Sequence, residues 1–182
     1  KVSFRMVIGD LVDSELMQLY PFDFARDLLR AAKETGLTTS IETTSFTSWE
    51  KIETIIPYVD TYLMDIKHMN SAKHKEFTSQ SNELILENAA KVAQKAKKLI
   101  IRTPVIPTFN DTEEEIRAIA KYAKSIGVNE MHILPYHRLG RDKYYGLGRT
   151  YSLEGIEPPS KELMYRLLEV VKSEGLKGQI GG

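Results

Sequence analysis

The sequence has no cysteine among its 182 residues. Disulfides and thiolate metal sites are therefore excluded for this chain. It also lacks a surplus of either charge, since Lys+Arg and Asp+Glu both total 25. A neutral chain is poorly suited to hold nucleic acid by phosphate neutralisation. No run approaches the roughly 18 apolar residues of a membrane span, and no signal peptide opens the sequence. G-x-G-x-x-G and P-loop patterns are missing, which weakens a phosphorylated-metabolite reading. Linkers and low-complexity tracts are missing too. What is there is 42% hydrophobic and 27% charged residues. That composition reads as one globular domain over residues 1–182, with the cytoplasm as default address.

The pattern alternates strand-like and helix-like segments. "KVSFRMVIG" reads as a strand. In "FDFARDLLRAAKETG", Phe24, Leu28, Leu29 and Ala32 share one helical face, and Gly36 is placed to stop the helix. "LTTSIETTSF" is rich in β-branched residues and reads as a strand. "SWEKIETIIPYV" sets Trp49, Ile52, Ile55 and Ile56 at helical spacing before Pro57, and "TYLMDIKHM" is a short apolar run. The second half repeats the scheme. "SNELILENAAKVAQKA" offers Ser81 or Asn82 as a cap, with Leu86, Ala89, Val92, Ala93 and Ala96 along one side. "KKLIIRTPVIPT" is a strand, "NDTEEEIRAIAKYAKSIG" a capped helix with an acidic first turn, and "EMHILPYH" a strand. "PPSKELMYRLLEVVKSEG" is a last helix and "LKGQIGG" a short closing strand. Such alternation predicts an α/β fold of right-handed βαβ units around a parallel sheet, open or part of a barrel.

In such folds ligands meet the carboxyl ends of the strands. Four expected strands finish there in polar groups. Ile41 leads to Glu42 and Thr43; Met64 leads to Asp65, with Lys67 two positions on. Ile101 leads to Arg102, and Leu134 leads to Tyr136 and His137. Singly, each has an ordinary structural explanation: a cap, a local ion pair, a hydrogen-bonded histidine. Jointly they predict a binding site, because charges at a sheet end are costly without a polar ligand or each other. Carboxylates beside Lys, Arg and His suit a zwitterion. His68 and His74 are expected to be exposed or capping, and His132 alternates with Ile133 inside a strand. No histidine pair has the helical i, i+4 spacing of a metal site. Tyr144, Tyr145 and Tyr151 read as loop packing.

From about Phe24 onward the chain resembles the C-terminal part of glycyl-radical-enzyme activating enzymes, the pyruvate formate-lyase activating enzyme family of the radical SAM superfamily. The likeness rests on "IETTSF", "LMDIKHMNSAKHKEFTSQSNELILENA", "IIRTPVIPTFNDTEEEI" and "ILPYHRLGRDKYYGLGRTYSLEGIEPPS", in that order. The resemblance implies a partial (β/α)6, TIM-like barrel lacking its first βα unit. It implies S-adenosylmethionine (SAM) as cofactor and a [4Fe–4S] cluster in the full-length parent, which cleaves SAM reductively. The resulting radical abstracts hydrogen from a glycine of a partner, a glycyl radical enzyme, with flavodoxin or ferredoxin as reductant. By motif position, Glu42, Thr43, Asp65 and Lys67 would lie near the SAM amino-acid group. Arg102 follows the "IR" strand, and His137 would lie near the adenosyl end.

The departures are equally specific. The family's C-x3-C-x2-C motif is missing, and without three thiolates there is no cluster. Where a "GGEP" motif is expected the chain reads "VIGDLVDSELMQLYPFDFA", with "LMQ" familiar and Glu15 at best a shifted remnant. Two family glycines are replaced, by Ser45 and Thr108, which predicts distorted loops. These departures predict a fragment with a disturbed first twenty residues, inactive alone in SAM cleavage. Its "KVSFRMV" edge would invite self-association. The rival account is a degenerate, non-catalytic docking or structural module.

Overall fold

A computed structural model of the chain describes residues 2–7, 22–137 and 155–181. Among these, β1 (Ser3–Val7) is followed by α1 (Phe22–Glu34), β2 (Thr38–Thr43) and α2 (Trp49–Ile55). A 3-10 turn, Ile56–Tyr58, follows with Pro57 near its start, then β3 (Thr61–Asp65), α3 (Ser71–Thr78) and α4 (Glu83–Lys95). The chain continues through β4 (Leu99–Val105), α5 (Glu113–Ser125), β5 (Glu130–Pro135), α6 (Lys161–Ser173) and β6 (Lys177–Ile180). All six strands are parallel and lie in chain order, β1 to β6, with β1 and β6 at the edges.

That order decides the architecture. Each crossover steps to the neighbouring strand, so connections of one hand place every helix on the same face of the sheet. The result is an open, partial barrel. On the helix side lie Ile41, Tyr62, Met64, Ile101, Met131 and Ile133, all essentially inaccessible. Helices α1, α4, α5 and α6 meet them with Leu29, Ala89, Val92, Ile116, Ile119 and Leu167. The alternation of strand side chains sends the remaining residues to the helix-free inner face. There the register aligns Arg5 with Ser40, Glu42 with Leu63, Asp65 with Arg102, and Arg102 with His132. A closed barrel normally fills this space with branched aliphatics. Here it is largely polar.

Local chemistry explains most element ends. Thr112 and Ser160 cap α5 and α6, accepting from Glu115 N and Leu163 N. Gly36 and Gly127 stop α1 and α5 in the left-handed conformation, at φ +81° and +86°. Several expectations are corrected. Phe24 is 51% exposed, because the buried stripe of α1 is Ala25, Leu29 and Ala32. Asn82 stands at the cap of α4 without a side-chain capping bond, its amide spent elsewhere. Helix α3 was not expected. It buries only His74, so no apolar period announces it, and it is set by Asn70, whose side chain accepts from Lys73 N. His68 and His74 are buried, at 4% and 3% exposed.

Ser45 and Thr108 keep the left-handed backbone that a glycine would take, at φ 58° and 72°. A non-glycine residue in this conformation carries the steric cost of its Cβ. Glu15, the "LMQ" segment and Tyr144, Tyr145 and Tyr151 lie outside the described residues.

Candidate functional site

The inner-face charges gather at the carboxyl ends of β2, β3 and β4. Arg102 is central, with its side chain 7% exposed. Its Nη1 donates to Glu42 Oε2 at 2.7 Å. Its Nε and Nη2 both reach Asp65 Oδ1, at 2.9 and 2.8 Å. Glu42 is bonded from the other side by Arg5 Nε of β1. The row therefore alternates in sign: Arg5, Glu42, Arg102, Asp65. The carboxylates are almost as buried as Arg102, whereas Arg5 is half-exposed. Charge-assisted hydrogen bonds of this kind offset the cost of taking the ions out of water.

Three of the six residues singled out from the sequence, Glu42, Asp65 and Arg102, are thus joined through Arg102. The other three are placed as follows. Thr43 aligns with core residue Met64 on the opposite face, and its Oγ1 accepts from Ser45 N at 2.9 Å. Lys67 is half-buried in the loop two residues past Asp65, with its carbonyl bonded by Asn110 Nδ2 at 2.6 Å. His137 is exposed, two residues past the end of β5. Its neighbour Tyr136 is buried, and Tyr136 N donates to Val105 O at 3.2 Å. Arg5 was not foreseen. A basic residue inside an apolar strand run was the available signal, but its pairing with Glu42 depends on a β1–β2 register that no local pattern encodes.

A second cluster sits lower on the inner face. Glu130 meets Lys98 at 2.8 Å, His132 at 3.0 Å and Lys177 at 3.3 Å. Burial pushes the Glu130 carboxyl up, but hydrogen bonds from Lys98, His132 and Lys177 outweigh it and hold the group at about 2. A cleft of about 640 Å³ lies elsewhere, around Lys33, Asp60 and Lys97 at the amino end of β3. It is apart from the strand-end charges. There Lys33 foremost, with the Thr39 N–H and Lys97, holds Asp60 well below the usual carboxylate range.

Comparison with known proteins supplies the context. The radical SAM superfamily profile matches residues 17–123. Isethionate sulfite-lyase activating enzyme of Oleidesulfovibrio alaskensis is 41% identical over 153 residues, 83% of this chain and 49% of that protein. Pyruvate formate-lyase 1-activating enzyme of Escherichia coli is 32% identical over 158 residues, 85% of this chain and 64% of that protein. The chain thus spans about half to two-thirds of the length of these relatives. Among solved structures, a domain of pyruvate-formate lyase-activating enzyme from Bacteroides vulgatus superposes with a TM-score of 0.78. The identity there is 25%, and both chains are covered completely. Streptococcus suis SuiB bound to S-adenosylmethionine shares the fold, with a TM-score of 0.68, 14% identity and coverage of 99% of this chain and 38% of that one.

Proposed function

The chain belongs to the radical SAM superfamily, and from that premise we propose that it is the SAM-binding and partner-docking portion of a glycyl-radical-enzyme activating enzyme. The observation that carries the reading is Arg102 bonded to both Glu42 and Asp65 at the ends of three adjacent strands. The donor set fits the amino-acid end of SAM. Carboxylates suit its ammonium, and guanidinium groups suit its carboxylate. Glu42, Asp65 and Arg102 would hold that end, with Thr43 and Lys67 beside it and His137 toward the adenosyl group. Bound SAM supplies the source of a hydrogen-abstracting radical once it is reduced by one electron. This chain's own part is to bind and orient, in a polar chamber backed by an apolar core.

The residues do not fit a [4Fe–4S] cluster. The sequence has no cysteine, and no group of three candidate metal-binding side chains occurs among the described residues. No electron-transfer step is assigned to this chain, and alone it is expected not to cleave SAM. In the full-length parent, the cluster and a reductant such as flavodoxin or ferredoxin complete the reaction. The partner is a glycyl radical enzyme, and the setting is the cytoplasm. No helix among the described residues is long and apolar enough to cross a membrane. The β1 edge is proposed to mediate self-association when nothing else covers it.

One observation favours a second reading. All three guanidinium nitrogens of Arg102 already bond Glu42 or Asp65, so these charges offset one another without any ligand. That suits a non-catalytic homologue kept for docking or structure. Calorimetric titration with SAM separates the two. Saturable heat supports the cofactor site, and no heat at millimolar SAM leaves only docking or structure.

A further inference from the structure

The loop leaving β3, Ile66 to Asn70, turns away from the sheet directly after Asp65. Ordinary surface loops satisfy their carbonyls with water. Here four consecutive carbonyls are taken by side chains from other elements. Thr103 Oγ1 of β4 donates to Ile66 O at 2.9 Å. Asn110 Nδ2 donates to Lys67 O at 2.6 Å and to Pro104 O at 2.8 Å, while its Oδ1 accepts from Ile106 N at 2.7 Å. Asn82 Nδ2 donates to His68 O at 2.7 Å and Met69 O at 3.0 Å. The His68 ring closes the set. Its Nδ1 accepts from Asn70 N at 2.9 Å, so Nε2–H is left to donate to Glu115 Oε1 at 2.8 Å.

These side chains are buried: Thr103 and Asn110 are 0% exposed and Asn82 is 2%. A buried side-chain hydrogen bond adds little net stability, because each partner gives up water to form it. What the arrangement gains is position. The loop that leaves Asp65 and contains Lys67 is fixed from three directions. The pinning elements are β4, the β4–α5 loop and the start of α4. Glu115 is itself held by the Thr112 cap, whose Oγ1 donates to Glu115 Oε2 at 2.9 Å.

We propose that Thr103, Asn82 and Asn110, with the His68–Glu115 pair as outer strut, are positioning residues that set Asp65 and Lys67 for the amino-acid group of SAM. The inference rests on the SAM-site reading above. It gives roles to a buried histidine and three buried polar side chains that touch no proposed ligand atom.

The test uses the 182-residue chain and two readouts, amide hydrogen exchange across residues 66–70 and SAM affinity by calorimetry. Thr103→Val is nearly isosteric and removes one donor; Thr103→Ser keeps it. Thr103→Val is expected to accelerate exchange in the loop and weaken SAM about tenfold. Thr103→Ser restores both. Glu115→Gln, which keeps an acceptor for His68, stays nearer to wild type than Glu115→Ala. Ile119→Val, a core change on α5, lowers global stability without altering SAM affinity. Unchanged loop exchange in Thr103→Val, or faster exchange with SAM affinity within twofold of wild type, overturns the proposal. If the wild-type chain takes up no SAM, the cofactor reading fails instead. The clamp then stands or falls on loop exchange alone.

Discussion

Replacing Arg102 by methionine should expose how the inner-face charges are held together. The substitution keeps an unbranched side chain but removes the cation that separates Glu42 from Asp65. Arg102 makes three close contacts to them, at 2.7, 2.8 and 2.9 Å, and little of it reaches solvent. Breaking a buried pair leaves an uncompensated charge and typically costs about 3–5 kcal/mol. Arg5 still neutralises Glu42 in part, so the lower end, about 3 kcal/mol, is expected. For a chain of this size that lowers the thermal midpoint by roughly 6–12 °C at neutral pH. Calorimetric scans of wild type and Arg102→Met at pH 7.5 measure it. The triple change Glu42→Gln, Asp65→Asn, Arg102→Met should recover most of the loss, since only the half-exposed Arg5 then loses a carboxylate partner. A variant melting within 2 °C of wild type at pH 7.5 would refute the reasoning.

Two further outcomes are expected. Glu130 is held at about 2 against an ordinary 4.5, so its contribution is complete above pH 5 and lost as pH falls toward 2. Allowing for solvent around the half-exposed Lys98, that is about 2 kcal/mol, and Glu130→Gln should flatten this part of the acid-unfolding curve. At left-handed Ser45 and Thr108 the same substitution to glycine should act with opposite signs. Thr108→Gly relieves an exposed β-branched residue and should stabilise by about 0.5–1 kcal/mol net of the added chain entropy. Ser45→Gly removes the buried 2.8 Å contact of Oγ with the Tyr62 hydroxyl and should destabilise by about 1 kcal/mol. Equal shifts in urea midpoints would show that backbone strain alone decides both.

The element order was legible because each strand and most helices carry their period in the sequence. "KLIIRTPV" is a short run of mainly apolar, β-branched residues, and "EEEIRAIAKYA" repeats its apolar residues at helical spacing. Helix α3 was not legible, since its one buried residue is a histidine. The candidate site was half legible. Glu42, Asp65 and Arg102 could be picked out as charges that end apolar strands. That Arg102 bridges the other two needs the β2–β3–β4 register, which parallel strands acquire only through their helices. Thr43 was grouped with Glu42 by adjacency, yet neighbours on a strand face opposite ways. The buried state of His68 was hidden for a related reason. Its partner, Glu115, lies 47 residues away.

The whole account depends on SAM meeting the charged ends of β2, β3 and β4. An amide correlation spectrum of the chain titrated with SAM measures that contact directly. Saturable shifts concentrated at residues 42–45, 65–69, 102–105 and 136–137, and abolished in Arg102→Met, are predicted. No shifts at millimolar SAM, or shifts confined to the cleft around Lys33, Asp60 and Lys97, would contradict it.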